Sequence, residues 1–188
     1  MVEKYKNCVI AFLKLMDNRM LEIGSNIFCQ NNKTNDAEIE NFKKWLLQYT
    51  TRHCLEYIDF IKMTNGFCYN TGSFYSLNPN AIVGSHSLKV DKTFSNSIYK
   101  QNKIIWQNEK LGKILEQYIV FADDEFSFYC LHRNDGIYYR IDRVNGNIVG
   151  RCETFYELIQ MALEVSLYSS DSDYDEEYEI IKRKYEIE

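Results

Sequence analysis

Residues 117–149 read QYIVFADDEFSFYCLHRNDGIYYRIDRVNGNIV, and this stretch decides the fold. It opens with the compact apolar run 118–122, and apolar side chains then alternate with others along 126–131 and 137–142. A period of two is typical of β-strands, because successive side chains point to opposite faces of the sheet. The stretch therefore predicts a succession of strands.

Two glycine dipeptides mark the turns of this stretch. Asp135-Gly136 sits between two of the predicted strands, and Asn145-Gly146 follows the last of them. Both dipeptides supply the positive φ angles that tight hairpin turns require. Strands joined by tight turns run antiparallel, so the stretch is predicted to form an antiparallel meander.

Helical periodicity precedes the meander. Apolar residues recur at helical spacing over residues 3–23, 36–49 and 52–64, and again over 95–107. A short strand is predicted at 74–77, between the third and fourth of these helices.

A closing helix is predicted at 155–167, where Thr154 and Glu157 form a capping box. The predicted fold class is therefore α+β: a single antiparallel or mixed sheet flanked by helices, with the closing helix packed on it. One core should contain Trp45, Ile58, Ile61, Val120, Leu158 and Ile159.

The net charge of the chain is concentrated in its last residues. The 188 residues carry a formal charge of −5, and residues 170–188 alone hold eight acidic and three basic side chains. We expect one domain over residues 1–169, in which a helical extension precedes a core at 36–165, followed by an acidic tail. The tail either packs back as a helix or extends into solvent. The neutral body lacks the basic stripe that a nucleic-acid binder needs to neutralise phosphates.

The sequence predicts a cytoplasmic protein. Residues 1–10 carry mixed charges and lack the apolar run of a signal peptide. No stretch reaches the roughly 18–20 apolar residues of a membrane span. Six cysteines are scattered without a C-x-x-C pair, so we expect free, mostly buried thiols and no cofactor.

Cys130 and His132 are the one pairing that suggests chemistry. They lie two residues apart on a predicted strand, so both side chains face the same side. A thiol nucleophile or a zinc site is one interpretation, but no further metal ligands follow at a supporting spacing. The alternative is a packed cysteine beside a hydrogen-bonded histidine, and we expect no metal.

The order of these motifs resembles the SUKH superfamily, which includes the yeast cell-wall synthesis regulator and the YrhA-type bacterial proteins. The resemblance spans roughly residues 36–165, and Thr50-Thr51-Arg52 departs from it, where the family often has proline. The matching segments, in chain order, are Tyr57–Gly66 with its Asn65-Gly66, the aromatic strand near Tyr75, Ile104–Trp106, Ile119–Asp124, Asn134–Arg140 and Thr154–Ile159. The resemblance implies an α+β fold without catalytic machinery and, for many bacterial members, immunity against toxins delivered by neighbouring cells.

Asp123, Asp124 and Glu125 form a carboxylate cluster at the end of a predicted strand. Adjacent residues on a strand point to opposite faces, which works against a general acid/base pair. The cluster is either a solvated turn or an acidic docking patch that steers a basic partner.

Tyr129, Tyr138 and Arg140 occupy the second face of the meander. Tyrosine and arginine are favoured at interface hot spots, so these residues are candidates for partner contact if that face is exposed. If helices cover both faces of the sheet, the same residues are part of the core instead.

Three hypotheses for function follow. The first is a non-catalytic immunity protein that neutralises a cognate toxin domain by direct contact. The second is a regulatory or scaffolding domain with a cellular partner and no toxin. The third is a thiol enzyme built on Cys130 and His132, which we favour least.

Overall fold

The computed structural model describes residues 2–22, 34–52, 54–69, 72–79, 82–83, 94–168 and 174–187. Within these ranges the chain has an α+β fold, with one six-stranded antiparallel sheet and a separate two-stranded ribbon. The predicted fold class is confirmed.

The elements follow one another as helices, short strands, the meander and two last helices. The first helices are α1 (Val2–Glu22), α2 (Asp36–Leu46) and α3 (Leu55–Met63). Four short strands follow, namely β1 (Phe67–Tyr69), β2 (Gly72–Phe74), β3 (Ile82–Val83) and β4 (Phe94–Ser95). Helices α4 (Ile98–Trp106) and α5 (Gly112–Leu115) lead into the meander, which consists of β5 (Tyr118–Asp123), β6 (Ser127–His132), β7 (Tyr138–Asp142) and β8 (Ile148–Cys152). Helices α6 (Phe155–Tyr168) and α7 (Tyr174–Lys184) come last.

The large sheet has the strand order β1-β2-β5-β6-β7-β8, and each neighbouring pair is antiparallel. Both predicted glycine turns are confirmed, because Gly136 has φ +70° and Gly146 has φ +76°. This strand order makes β8 one edge of the sheet and the short β1 the other.

The predicted strand at 74–77 lies earlier in the chain than expected. Strand β2 ends at Phe74, because the backbone of Ser76 leaves β5 to pair elsewhere. The Ser76 amide donates to Asn96 O at 2.8 Å, and Ser76 O accepts from the Ile98 amide at 2.9 Å. The chain is thereby tied to the segment that starts helix α4.

Helices cover both faces of the meander. Helix α6 packs on β7 and β8, while α4 and α5 pack on β5. Five of the six predicted core residues lie in one buried cluster, namely Ile58, Ile61, Val120, Leu158 and Ile159. Trp45 is half-buried and packs against the edge of this cluster.

Trp45 belongs to a group of aromatic rings that joins α2 to α4. It stacks on Trp106 with ring centroids 6.2 Å apart and planes inclined by 7°. The guanidinium of Arg133 lies 4.3 Å above the Trp106 ring and 4.5 Å above Tyr49. Cation–π contacts of this kind hold the turn after β6 against the two helices.

Asn102 joins helix α4 to strand β5 from within the core. Its fully buried amide donates from Nδ2 to Val120 O and accepts from the Val120 amide at Oδ1, both at 2.8 Å. Nδ2 also donates to Ile98 O at 2.9 Å. Nearby, Trp106 Nε1 donates to Tyr118 O at 3.0 Å. Asn102 and Trp106 thus hydrogen-bond the backbone of β5 at Val120 and Tyr118, where β2 no longer runs beside it.

The Asn65-Gly66 dipeptide has a comparable structural role. The buried Asn65 Oδ1 accepts from the Leu77 amide at 2.8 Å and from Ser76 Oγ at 3.0 Å. Gly66 has φ +82°, and a Cβ there would lie 2.8 Å from the backbone nitrogen of Ser76. The dipeptide therefore ends α3 and fixes the chain that follows β2.

The described part of the acidic tail is a helix that packs on the body. Tyr178 of α7 is buried, with its ring centroid 4.8 Å from that of Phe12 in α1. Lys4 Nζ donates to Glu186 O at 2.8 Å. Of the two interpretations of the tail, residues 174–187 follow the packed one.

The described helices include none that is long and apolar enough to cross a membrane. Cys8, Cys54, Cys130 and Cys152 are buried free thiols, as predicted for these four. Cys29 lies outside the described residues, and the prediction for Cys68 stays a prediction.

Replacing Asn102 with Ala should destabilise the protein by about 2–4 kcal/mol, because the Val120 N–H and C=O would be left buried without partners. Urea unfolding followed by circular dichroism measures the loss. Lys100→Ala, at an exposed position of the same helix, is the matched control and should change stability by less than about 0.5 kcal/mol. A loss of the control's size for Asn102→Ala would contradict the proposed role of the side chain.

Candidate interaction surface at the turn end of the sheet

The predicted carboxylate cluster occupies the turn between β5 and β6, where its members have different surroundings. Asp124 is buried, and its Oδ1 accepts from the amides of Phe126 at 2.7 Å and Ser127 at 2.6 Å. Its Oδ2 accepts from the hydroxyl of Tyr129 at 2.6 Å. Asp124 therefore builds the turn from inside, and its carboxylate is not available to a partner.

Asp123 is occupied by an ion pair within the chain. Its Oδ2 lies 2.8 Å from Nη1 of Arg143, which also donates to Asp124 O at 2.6 Å. Burial raises the pKa of Asp123, and the Arg143 guanidinium opposes that rise. Of the three carboxylates, only Glu125 is largely exposed.

The expectation of an acidic docking patch is therefore corrected. Two of its three carboxylates are used to hold the β5–β6 turn and to bind Arg143. What the turn presents to solvent is one acidic side chain, Glu125, beside one basic side chain, Arg143. These two opposite charges do not make a patch of one sign.

Tyr129 and Tyr138 lie in the core, because helices cover both faces of the sheet. The ring of Tyr138 packs 6.0 Å from that of Phe155 in α6, and burial raises the pKa of both tyrosines. The alternative in which these residues form an exposed hot spot is wrong. Arg140 is half-buried, and its Nε donates to Ser127 Oγ at 2.8 Å.

Two large apolar side chains are exposed at the same end of the sheet. Phe126, in the β5–β6 turn, is 54% exposed, and Val144, in the β7–β8 turn, is 66% exposed. The two turns are joined by the Arg143 amide, which donates to Phe126 O at 2.9 Å. We call Glu125, Phe126, Arg143 and Val144 the turn-end surface.

The backbone of the turn-end surface is fixed before any partner arrives. The Asp124 carboxylate holds the amide of Phe126, and the Asp142 carboxylate accepts from the amide of Val144 at 2.7 Å. A contact residue on a rigid turn loses less conformational entropy on binding than one on a mobile loop. The arrangement suits an apolar anchor with a mixed polar rim.

Sequence reasoning missed both anchors for identifiable reasons. Phe126 continues the alternation of the β6 stretch, which indicates a strand face, and Val144 precedes the Asn145-Gly146 dipeptide, which marks a turn without showing which of its side chains are exposed. The presence of two large apolar residues in tight turns, where polar residues are usual, is the signal that could have revealed them.

Cys130 and His132 do not form the arrangement that a thiol nucleophile needs. The Cys130 thiol is fully buried and donates to Tyr139 O at 3.3 Å. Burial raises its pKa well above the ordinary value, whereas a reactive cysteine needs a lowered one. His132 Nδ1 lies 3.0 Å from Oδ2 of Asp135 in the β6–β7 turn.

Cys130 and His132 do not line the cavity of about 390 Å³ that lies between α1, β8, α6 and α7, whose lining includes Tyr5, Arg151 and Lys182. Among the described residues, no group of three or more His, Cys, Asp or Glu side chains is placed to hold a metal ion.

No protein-family model matches the chain, and no curated protein matches it.

Replacing Asp124 with Ala should destabilise the protein by about 2–4 kcal/mol, because two turn amides and the buried Tyr129 hydroxyl lose their acceptor. Glu125→Ala, at the adjacent exposed position, should change stability by less than about 0.5 kcal/mol. Urea unfolding of both variants measures the difference. Equal stability of the two variants would show that Asp124 does not hold the turn.

Proposed function

We propose that this chain is a protein-binding protein and that it neutralises a toxin domain by direct contact, as an immunity protein does. The proposal of protein binding rests on the pair of exposed apolar side chains, Phe126 and Val144. Their turns are held by the carboxylates of Asp124 and Asp142. The toxin part rests on the resemblance of the motif order to the SUKH superfamily. A cytoplasmic location belongs to the same proposal.

The proposed mode of action is occlusion without turnover. More than half of the Phe126 side chain is exposed to water in an ordered turn. A partner that covers it would remove this apolar surface from water, and that burial would contribute favourable free energy to binding. Glu125 and Arg143 at the rim carry opposite charges and would orient a partner more than they would tighten its binding.

The negative charge of the acidic tail cannot be removed by deleting the tail without also disturbing the packing of the body. An attractive test would be to delete residues 170–188 and ask whether a basic partner associates more slowly. Because Tyr178 is buried against Phe12, that deletion would also expose the core and unfold part of the protein. Charge is better tested with substitutions at exposed positions of α7, such as Glu176→Gln.

The direct test is co-expression of this protein with the toxin gene next to its own gene, scored by cell survival and by calorimetry of the purified pair. Phe126→Ala should weaken the complex by about 2 kcal/mol or more, roughly thirtyfold in Kd, because truncating a central aromatic anchor has that effect. Ile104→Ala, at an exposed apolar position of α4 away from both turns, is the matched control and should bind as the unmodified protein does.

The outcomes separate the hypotheses. Protection with a one-to-one complex that Phe126→Ala weakens supports the proposal. Binding that Phe126→Ala leaves unchanged would place the contact elsewhere on the molecule. Failure to protect against the adjacent toxin favours a regulatory or scaffolding domain. Protection without a complex would point to enzymatic detoxification.

A further inference from the structure

A group of half-buried aromatic rings lies where the end of α2 meets α4, at the end of β6 opposite the turn-end surface. The ring centroids of Trp45, Tyr49 and Trp106 lie 5.0–6.2 Å from one another, and each of these residues is partly exposed. Arg133, the residue after β6, places its guanidinium over Trp106 and Tyr49. We call these four residues the aromatic–arginine surface.

The guanidinium of Arg133 carries a positive charge with which no carboxylate in the described part of the chain pairs. Its Nε and Nη2 are buried without a hydrogen-bond acceptor, although the residue as a whole is partly exposed. Burial lowers the pKa of Arg133, and the acidic groups of Tyr49 and Glu116 oppose that change by their charge alone. Because burying a cation without an anion costs free energy, a carboxylate supplied from outside would bind favourably here.

Helix α4 adds a second cation to this surface. The helix contains Lys100 and Lys103 and no acidic residue. Lys103 is exposed and lies three residues before Trp106, so the two side chains are neighbours on one side of the helix. Arg133 and Lys103 thus stand beside the rings, against one nearby carboxylate, that of Glu116. The surface is therefore positive, although the chain as a whole carries a formal charge of −5.

We propose that the aromatic–arginine surface binds a segment of another protein in which an acidic side chain lies between apolar ones. The carboxylate accepts hydrogen bonds from Arg133 and Lys103, and the apolar neighbours cover the exposed parts of the rings. Tryptophan, tyrosine and arginine are the residues enriched at binding hot spots. This inference does not rest on the proposed function, because Arg133 and Phe126 flank opposite ends of β6, whose six residues span about 20 Å.

The same rings do not offer what a nucleic acid needs. A base stacks on an open ring face, whereas Trp106 already has the parallel ring of Trp45 and the guanidinium of Arg133 stacked on it. Affinity for nucleic acid also depends on neutralising many phosphates, and α4 supplies only two lysines. An acidic protein segment needs one carboxylate and some apolar area, so it fits this surface better.

Tryptophan fluorescence of the full chain tests the proposal, because Trp45 and Trp106 are the two tryptophans of the sequence. The probe is an acetylated, amidated pentapeptide of leucine, glutamate, leucine, aspartate and leucine, and its neutral counterpart has glutamine and asparagine in place of the two acids. The acidic peptide should change the emission saturably and bind about tenfold more tightly than the neutral one, as one hydrogen bond between charged groups provides.

Three variants locate the binding. Arg133→Gln should abolish the preference for the acidic peptide. Arg151→Gln, at an exposed position of β8, is the matched control and should retain it. Lys103→Gln, at an exposed position of α4, should reduce the preference about two- to fivefold, as the loss of an exposed ion pair does. This last variant decides the matter if Arg133→Gln changes the circular dichroism of the protein.

The outcomes are distinct. Equal binding of the two peptides to the unmodified protein would overturn the inference, as would a preference that a folded Arg133→Gln retains or that Lys103→Gln leaves undiminished. Tighter binding of a single-stranded oligothymidylate than of the acidic peptide would overturn it in favour of a nucleic-acid partner. Phe126→Ala should leave peptide binding unchanged, which keeps this result separate from that of the proposed function.

Discussion

The amide of Asn102 completes the backbone hydrogen bonding of β5 at the point where β2 stops. Strand β2 reaches β5 only as far as the Tyr75 amide, which donates to Phe121 O at 2.9 Å. Beyond that point the N–H and C=O of Val120 would be buried without partners, at a penalty of about 1–3 kcal/mol for each group. A side chain of helix α4 takes both of them, so the helix occupies the place that a strand would otherwise fill.

The turn-end surface depends on this arrangement. Because β5 is fixed along its whole length, its end at Asp123 is fixed too, and the buried Asp124 can then build a defined turn that presents Phe126. At the far side of the sheet, none of the described residues substitutes for a neighbouring strand along β8. Within the described part of the chain, the sheet thus has an inner strand, β5, completed by a helix, and an edge strand, β8, with exposed apolar residues.

Much of the fold could be predicted from the sequence, because alternation and glycine dipeptides act locally. The first three strands of the meander, the main helices and the inward face of α6 follow from periodicity, and the positive-φ turns at Gly136 and Gly146 follow from the glycine dipeptides. Strand β8 was not predicted. The role of Asn102 could not be predicted, because helical spacing indicates which face a residue occupies and not which distant carbonyl it meets. Strands as short as β1 have too few residues to show a period.

The turn after β5 was predicted in its place, but the bonding of its carboxylates was not. The sequence located the turn after β5. It does not distinguish an aspartate exposed to solvent from one that is buried and accepts hydrogen bonds from turn amides. The sequence therefore places Asp124 in a turn and leaves Tyr129 on either an exposed or a covered face, although the two side chains bond to one another inside the protein. Exposure of Phe126 follows from the same network, which only the three-dimensional structure reveals.

The exchange rate of the Val120 amide tests the central claim most directly. If Asn102 Oδ1 holds this amide as a strand partner would, its exchange should require opening of the core, with a free energy close to that of global unfolding. Nuclear magnetic resonance of the protein in deuterated water provides the measurement. Exchange of the Val120 amide as fast as that of the exposed turn residue Asn145 would show that the side chain does not stand in for the missing strand.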